Sequence, residues 1–341
     1  MAQPMQWDRQ IGRRLRLRDL HVFCTVVGLG SMAKAAAHLG VTQPTVSEVI
    51  ADLEHAVRMR LLERSAKGVE PTPYGHALLK RAHAAFDELR QGVRDMEFLA
   101  DPAAGEIRVG CPESIVAGLM EPVIQRLAHD YPRLSVELTD AMTRTFEFPL
   151  LYQRKLDLVV ARLAIHREKA IPGDLAIEIL FEDRLCLVAG ANSRWARRRK
   201  IDIAELAGEP WIMTPHDGIG ASWLREAFQC CGVEMPPGCV TTYSAYLRST
   251  LVGSGRFISV LPLSVVHLNA ARFSLHPLPV TLPAPPWHIG IVTLKNRALN
   301  PAVGIFLKYL RGAAQVMAKD MEGARWALKS ATPRGSNQVA Q

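Results

Sequence analysis

Apolar residues recur at helical spacing near the start of the chain. Positions three or four apart lie on one face of an α-helix, so their recurrence predicts a helix with one buried face. The stripe consists of Leu17, Leu20, Phe23, Val26 and Val27. Gly28 and Gly30 follow the stripe and predict the end of this first helix.

The next segment, SMAKAAAHLGVTQPTVSEVIADLE (Ser31 to Glu54), keeps the helical pattern but carries Gly40 and Pro44 in its middle. Gly weakens a helix interior and Pro breaks one, so the segment is interpreted as two helices joined by a tight turn. Ser31 is expected to cap the first of them and Thr42 the second, because Pro is tolerated in the first turn of a new helix. The residues that point inward by their spacing are Val46, Val49, Ile50 and Leu53.

The segment ERSAKGVEPTPYG, with Gly68 between short β-prone pieces, predicts a two-stranded wing. A long helix from Tyr74 to about Leu99 is expected to follow it, with apolar residues at threes and fours that suit pairing with a second copy of the chain. These residues are Leu78, Ala82, Ala85, Leu89, Val93 and Met96. The alternative is that the stripe packs on its own chain, but no nearby short loop would let the helix fold back.

Beyond the linker ADPAAGE (Ala100 to Glu106) the pattern changes to alternating strands and helices, which predicts an α/β sheet with right-handed crossovers. The expected strands are IRVGC, LSVELTD and LDLVVA in one half, then RLCLVAG, WIM, CVTTY, RFISVL and HIGIVTL. The expected helices are Ser114 to Asp130, Phe146 to Lys155, the IDIAELAG segment, Ser222 to Cys231, Ala245 to Val252 and Pro301 to Ala314. Two similar halves suggest a clamshell with a cleft, followed by a loose polar tail.

Composition agrees with a folded protein: 48% of the residues are hydrophobic and 22% are charged. The net charge of +8 suits a polyanionic partner, but the first hundred residues hold only 14 Lys and Arg against 11 Asp and Glu. A local patch must therefore carry any nucleic-acid argument. The densest basic run, RWARRRK (Arg194 to Lys200), is interpreted as a solvated loop or helix end.

No run of about 18 apolar residues suggests a spanning helix, and the basic N-terminus has no apolar region behind it. We therefore expect a cytoplasmic protein with no membrane partner, whose six cysteines are reduced. The cysteines lack metal-ligand spacing, so no metal and no cofactor are expected. Cys111 is singled out as a possible redox position because it follows a strand and precedes a helix.

Two short helices and a tight turn suit DNA, because the second helix of such a motif enters the major groove with its N-terminal residues at the base edges. Gln43 can bond adenine in a bidentate manner, and Pro44 and Thr45 can contact thymine methyl groups. The capping residues Ser31 and Thr42 belong to the same surface. Phosphate contacts are expected from Lys34, Ser47, Arg64 and Lys67. A buried helical hairpin without nucleic acid is the alternative, and the small polar residues where base edges would lie argue against it.

At this point the chain resembles the LysR-type transcriptional regulators. The signature is carried by Phe23, Gly30, Ser31, Ala35, Ala36, Leu39, Gln43, Pro44, Val46, Ser47, Leu53, Glu54, Leu62, Arg64, Thr72 and Gly75. LDLVVARL (Leu156 to Leu163) and VGSGRFISVLP (Val252 to Pro262) are similar to later family segments. Two departures are Leu62 in place of the usual Phe, and Pro71 and Pro73 on either side of Thr72.

The resemblance implies an α/β chain with an N-terminal winged helix-turn-helix and a two-lobed, periplasmic-binding-protein-like effector domain. The expected divisions are a DNA-binding domain at 15–73, a linker helix at 74–100, an effector domain at 105–316 and a loose tail at 317–341. The implied partners are double-stranded promoter DNA, a small-molecule effector and further copies of the chain. We expect a homodimer through the linker helix and, from it, a homotetramer.

A cleft in such a fold lies at the carboxyl ends of the strands. This rule selects five places: Cys111 to Ser114 after the first strand, Met142 to Thr145 (with Thr143) after the second, Ala161 and Arg162 after the third, Thr214 and Pro215 after WIM, and Tyr243 and Ser244 before a helix. Ser114 matches the family's hydroxyl at a helix N-terminus, where an anion is favoured. Pro112 stands where many members have a second polar residue. Arg162 could hold a ligand carboxylate in a fork or form a surface salt bridge instead. The hypothesis is a small anionic metabolite, with a neutral sugar as the alternative.

Two other classes of protein also use an α/β fold with a cleft. A cytoplasmic α/β enzyme could use the cleft, with His216 and Asp217 near Ser222, but no G-x-S-x-G elbow, phosphate loop or HExxH motif accompanies them. No catalytic residue and no enzyme activity are therefore expected. A transport-type solute binder is not expected because the chain has a winged head and no visible secretory signal.

Overall fold

From residue 15 onward, the first described elements are three short helices, a two-stranded hairpin and a long fourth helix. The helices are α1 (Leu17–Leu29), α2 (Met32–Leu39), α3 (Gln43–Val57) and α4 (Pro73–Ala100), and the strands are β1 (Leu62–Ser65) and β2 (Gly68–Pro71). The computed structural model describes residues 15–65, 68–141, 147–163, 171–215 and 219–329. The chain divides into two units between Val93 and Arg94.

Left-handed glycines end the first two helices, as the sequence predicts. Gly30 has φ of 62° after α1 and Gly40 has φ of 65° after α2, a conformation that glycine adopts without strain. The predicted boundary at Pro44 is confirmed within one residue, because α3 begins at Gln43 with Pro44 in its first turn. The buried core of this unit includes Phe23, Val26, Ala35, Val46, Ile50 and Leu53.

The predicted wing is confirmed as an antiparallel hairpin in which Ser65 faces Gly68. Its second strand lies against the turn after α1, because the Val69 N–H donates to the Gly30 carbonyl at 2.9 Å. At Gly68 an added Cβ would come within 2.7 Å of that same carbonyl, and φ of +127° also favours glycine there. Backbone contact therefore fixes the wing against the helices.

The apolar stripe along α4 is divided between two environments, which corrects the expectation of one continuous seam. Leu78 and Ala82 pack into the core of the first unit. Leu89, Val93 and Met96 are exposed, with Met96 at 70%. The helix starts at the wing, so its first turns are covered by the domain that they leave and only the later turns keep an open apolar face.

The second unit contains two five-stranded sheets. Lobe 1 has the strand order β4-β3-β5-β12-β6 and lobe 2 has the order β11-β7-β10-β8-β9. The strands of lobe 1 are β3 (Ala104–Cys111), β4 (Arg133–Asp140), β5 (Leu158–Leu163), β6 (Leu175–Asp183) and β12 (Trp287–Leu294). The strands of lobe 2 are β7 (Leu185–Gly190), β8 (Trp211–Met213), β9 (Gly238–Thr241), β10 (Ile258–Pro262) and β11 (Leu275–Pro277).

Helices cover both sheets. They are α5 (Glu113–Ile115), a π-helical turn (Val116–Met120), α6 (Glu121–Asp130), α7 (Pro149–Tyr152), α8 (Ile219–Cys230), α9 (Ala245–Gly253), α10 (Leu263–Phe273) and α11 (Pro301–Lys329). Two single 3-10 turns occur in lobe 2, at Arg194–Arg197 and Ile203–Leu206. The segment from α5 to α6 runs without a break, so the predicted helix at Ser114 to Asp130 is confirmed. No helix in the described ranges is both long and apolar enough to cross a membrane.

The α/β expectation is confirmed, but the sheets are mixed rather than wholly parallel. β3 pairs in parallel with β4 and with β5, whereas β12 runs antiparallel to β5 and β6. The chain passes from lobe 1 to lobe 2 after β6 and returns between β11 and β12. Lobe 1 is therefore closed by the C-terminal strand, and a core that includes Val160, Val188, Val265 and Phe306 joins strands and helices of both lobes.

Several local predictions are wrong. The expected helix at Phe146 to Lys155 is a single turn where it is described, because Pro149 begins α7 and Arg154 adopts a left-handed φ of 58° soon after it. The IDIAELAG helix is one 3-10 turn. The strands β6 and β11 and the helix α10 were not predicted. The last helix continues to Lys329 rather than ending near Ala314, so the tail expected from 317 is helical over that stretch.

Candidate nucleic-acid interface and effector cleft

The turn between α2 and α3 is held by two side-chain caps. Ser31 Oγ accepts from the Lys34 N–H at 3.4 Å, and Thr42 Oγ1 accepts from the Thr45 N–H at 3.4 Å. The hydroxyls of Thr42 and Thr45 also lie 2.9 Å apart and share a hydrogen bond. These caps satisfy backbone donors that a helix start leaves open, and they set Gln43 as the first residue of α3.

The polar face that the sequence predicts at the start of α3 is exposed. Lys34, Thr42, Gln43 and Pro44 are exposed, whereas Ser31, Thr45 and Ser47 are half-buried. On the wing, Arg64 is exposed, and Lys67 lies outside the described residues. The start of α3 is therefore polar and exposed to solvent, and the apolar face of the same helix is buried.

The wing is tied to α3 by a carboxylate that the site prediction did not include. Glu54 Oε1 accepts from the Leu61 N–H at 2.7 Å and from the Leu62 N–H at 3.1 Å. At the same, open end of the hairpin, Thr72 Oγ1 donates to the Arg60 carbonyl at 2.7 Å. Both residues belong to the signature quoted above, and the structure assigns them the task of positioning the wing.

In the second unit, the strand ends bring together two of the predicted effector residues. Arg162 Nη2 donates a hydrogen bond to Ser114 Oγ, although 48 residues separate them in sequence. The guanidinium also lies over the Trp287 ring, 5.3 Å from its centroid. Burial lowers the pKa of Arg162, and the nearby carboxylates of Asp183 and Glu113 act in the opposite direction. Arg162 is half-buried, so its environment differs from that of an exposed surface ion pair.

The other predicted effector residues lie in different settings. Ser244 caps α9, where its Oγ accepts from the Leu247 N–H at 3.2 Å. Thr214 follows β8 and is half-buried. Thr143 lies outside the described residues, as do His216 and Asp217 of the enzyme alternative.

Three charged residues at the junction of the lobes were not predicted. Glu113 accepts from the Ala245 N–H at 2.8 Å and from the Tyr246 N–H at 3.3 Å. In the sequence, only its position directly before Ser114 indicated Glu113 as a site residue, because the two residues that donate to it are more than 130 positions away.

Arg248 and Asp183 complete this group and both are buried. Arg248 Nη1 donates to the Val260 carbonyl at 2.7 Å, and burial lowers the pKa of the guanidinium to about 10. Asp183 accepts from Ser264 Oγ at 2.7 Å and from the Arg184 N–H at 2.8 Å, and burial raises the pKa of its carboxyl. Charged side chains from both lobes therefore meet at one place in the cleft.

This cluster has an unfilled hydrogen-bonding capacity. Within the described part of the chain, the Nε atoms of Arg162 and Arg248 are buried and have no hydrogen-bond partner. Buried donors normally find an acceptor, so two such atoms on neighbouring cations favour an anionic or polar guest. A cavity of about 250 Å³ reaches the first residues of α9 and is lined mostly by apolar side chains such as Met120 and Phe273, and neither Arg162 nor Arg248 lines it.

The thiol of Cys111 is buried beside this cleft, at the end of β3. Burial, with a smaller effect of Asp140, raises its pKa to about 12. A protonated and covered thiol is a poor nucleophile, so the geometry argues against a redox role for Cys111. The described residues also contain no group of three metal-ligating side chains arranged for an ion.

The basic run at Arg194 to Lys200 is largely engaged with neighbouring acids and an aromatic ring. Arg194 pairs with Glu209, and Arg198 pairs with Glu205 at 2.9 Å. Both guanidinium groups lie over the Trp195 ring. The prediction of a solvated loop or helix end agrees with this 3-10 turn.

A second buried charge cluster lies at the opposite end of β5 from Arg162. The Asp157 carboxylate meets Arg94 at 3.5 Å, Arg108 at 2.9 Å and Arg297 at 3.0 Å. Arg94 belongs to the last turns of α4, and the Asp157 side chain is 1% exposed. The end of the linker helix is therefore joined to the strand that carries the predicted effector residue.

Two family models match the chain. The model for a bacterial regulatory helix-turn-helix protein of the lysR family matches residues 17–76, and the model for the LysR substrate binding domain matches residues 100–315.

Relatives match over most of the length. The transcriptional regulator GbpR of Azospirillum brasilense is 25% identical over 343 residues, covering 98% of this chain and 95% of that one. The regulator TdcA of Escherichia coli (strain K12) is 27% identical over 295 residues, covering 86% of this chain and 91% of that one.

Solved structures share the fold. A full-length OxyR variant from Pseudomonas aeruginosa has a TM-score of 0.56 at 22% identity, covering 87% of this chain and 97% of that one. Full-length CbnR complexed with its target DNA has a TM-score of 0.55 at 20% identity, covering 88% of this chain and all of that one. Together with the family models, these matches show that the chain belongs to the LysR family of DNA-binding transcriptional regulators, with a helix-turn-helix domain followed by an effector-binding domain.

Proposed function

We propose that this regulator binds a small anionic metabolite at the Ser114–Arg162 pair and thereby alters its binding to promoter DNA. The observation that carries the proposal is the pair of buried Nε donors on Arg162 and Arg248 beside a hydroxyl. Two guanidinium groups favour a carboxylate over the neutral sugar considered above, because a charge-assisted hydrogen bond is stronger than a neutral one. Thr143, Thr214 and Ser244 are proposed as further contacts.

The DNA-reading surface is proposed to be the exposed start of α3. Gln43 would read a base edge, and Pro44 and Thr45 would contact thymine methyl groups. Lys34, Ser47, Arg64 and Lys67 would hold phosphates. Ser31 and Thr42 would act through the caps that they already form, since the helix ends that they fix present backbone N–H groups to the duplex.

The active unit is proposed to be a homodimer that pairs through α4 and assembles further into a tetramer. The exposed side chains of Leu89, Val93 and Met96 support this proposal, because an apolar stripe with a three-and-four spacing suits a coiled-coil partner. Because its proposed partner is promoter DNA, the protein is proposed to work in the cytoplasm. Catalysis is not proposed, because the family consists of regulators and no described residue group calls for it.

The ligand's effect would be a shift between two arrangements of the clamshell. A ligand can move such an equilibrium only by the difference between its affinities for the two states. We propose that strand β5 connects the cleft with the linker helix α4. Arg162 lies near one end of β5, and Asp157, which pairs with Arg94 of α4, lies directly before the other. The two charge clusters therefore provide a physical connection for the proposed response.

Calorimetry on Arg162 variants would test the effector site. A thermal-shift screen of small carboxylates and phosphates would first identify a ligand for the wild-type protein. Arg162→Ala and Arg162→Lys are both expected to weaken that ligand's binding by about thirtyfold or more, because a buried charged partner is lost or loses its fork geometry. Arg126→Ala, which removes an exposed arginine from the same lobe, is the matched control. Unchanged affinity in both Arg162 variants would remove Arg162 from the site.

A further inference from the structure

The head of helix α9 in lobe 2 is covered by a carboxylate from lobe 1. Glu113 Oε2 accepts from the Ala245 N–H and Oε1 accepts from the Tyr246 N–H, and Ser244 Oγ accepts from the Leu247 N–H. The first N–H groups of a helix have no partner within it and carry its positive end. Three of these donors are satisfied here, and two of them by a residue from across the cleft.

Two guanidinium groups with buried Nε atoms, on Arg162 and Arg248, strengthen this position as an anion site. The charge of Glu113 acts on both Arg162 and Arg248, and the effect on each is a stabilised cation. Glu113 thus faces the helix dipole and two arginines at once. A free carboxylate in the cleft would be drawn to the same place by the same groups.

The residues that follow Glu113 continue the contact with lobe 2. Asn269 Nδ2 of α10 donates to the Ala117 carbonyl at 2.8 Å. At Gly118 an added Cβ would come within 2.7 Å of Ser264 Oγ, so a larger residue there would displace the Ser264 side chain or move the π-helical turn away from α10. Glu113 lies at the end of this line of contacts, where the two lobes meet at the charged cluster.

We propose that Glu113 is a built-in anion that holds the two lobes together in the effector-free protein, and that a small carboxylate can take its place at the head of α9. The inference rests on the proposed effector cleft, since it names the group with which an anionic effector competes. The chain's own carboxylate already occupies the helix end at which an anionic effector would bind.

Hydrogen exchange on the full-length protein, without DNA or effector, would test this proposal. Glu113→Ala is expected to raise the exchange rate of the Ala245 and Tyr246 amides about tenfold, because each loses an acceptor that is a charged group. Acetate, a carboxylate small enough for the vacated space, is expected to restore their protection more than chloride at equal ionic strength. Glu137→Ala removes an exposed carboxylate from the same lobe and is expected to leave both amides as in the wild type, with and without acetate.

Two results would overturn the proposal. Wild-type exchange rates in Glu113→Ala would show that the carboxylate does not hold α9. Faster exchange that acetate and chloride restore equally would show that the vacated space does not select a carboxylate. If Glu113→Ala does not fold, Glu113→Gln is used instead, because it keeps the side-chain volume. The proposal then requires faster hydrogen exchange at the Ala245 or the Tyr246 amide. None of these measurements uses an effector or a promoter. A failure of this proposal can therefore be distinguished from a failure of the proposed effector site, which would be seen as an absence of metabolite binding at Arg162.

Discussion

At the scale of single residues, position along a helix decides what each polar side chain can do. Thr42 and Ser31 are engaged as caps, so their hydroxyls stabilise the turn, whereas Gln43 is exposed one residue further on. Solvent exposure likewise distinguishes the arginine that is proposed to contact DNA from the arginine that is proposed to contact the effector. Arg64 is exposed and suits a phosphate, and Arg162 is half-buried with a buried Nε atom and suits a fixed anionic partner.

Gln43→Ala is expected to weaken binding by about tenfold to a promoter fragment that the wild-type protein binds specifically, with the region upstream of its own gene tried first, because a bidentate contact to a base edge is lost. Fluorescence anisotropy at fixed salt would measure the change. Binding to unrelated DNA is expected to remain the same, since phosphate contacts are untouched. His55→Ala, an exposed change at the other end of α3, serves as the control. Equal losses in both variants would show that α3 does not enter the groove by its N-terminal end.

At the scale of elements, α4 shows how one continuous pattern can serve two purposes. Its first turns pack on the winged domain through Leu78 and Ala82, and its later turns expose Leu89, Val93 and Met96. A stripe of helical spacing identifies an apolar face but not what covers it. The short α7 gives the opposite lesson, because proline and a left-handed residue ended an element that the apolar pattern had extended.

Val93→Glu is expected to weaken self-association about tenfold or more, because a carboxylate would be introduced in the middle of the proposed apolar seam. Sedimentation velocity over a range of protein concentrations would measure the dissociation constant. Lys80→Glu, on the opposite side of the same helix, is the charge-changing control. A dimer that is as stable in Val93→Glu as in the wild type would place the interface elsewhere.

At the scale of the whole molecule, the two buried charge clusters lie at opposite ends of β5. One holds Ser114 and Arg162, and the other holds Asp157 with three arginines. Both draw on residues that are distant in sequence, and the second includes Arg94 from the linker helix. The second cluster joins the end of α4, strand β3 and the residue Arg297 after β12 to the start of β5.

Asp157→Asn is expected to destabilise the protein by about 3–5 kcal/mol, because three buried or half-buried arginines would lose their common counter-ion. Urea unfolding followed by circular dichroism would measure the loss. Glu106→Gln removes the exposed partner of Arg94 and is expected to cost about 1 kcal/mol or less. A similar small loss in both variants would mean that the Asp157 cluster contributes little to stability.

The sequence by itself determined the winged head, its helix boundaries and the family. Caps, glycines and apolar spacing act over a few residues, so their effect is visible in a linear pattern. It also indicated most strands of the effector domain, and it selected Ser114 and Arg162 by the rule that ligands bind at strand ends.

Only the tertiary structure decided how the distant segments meet. The return of β12 to lobe 1, the unpredicted β6 and α10, and the place of Glu113 against α9 all depend on pairings across 100 residues or more or on packing that no local spacing records. The charged residues of the cleft come from separate segments, and each resembles an ordinary polar residue in its own neighbourhood. Their shared burial, which is a property of the folded chain, makes them one site.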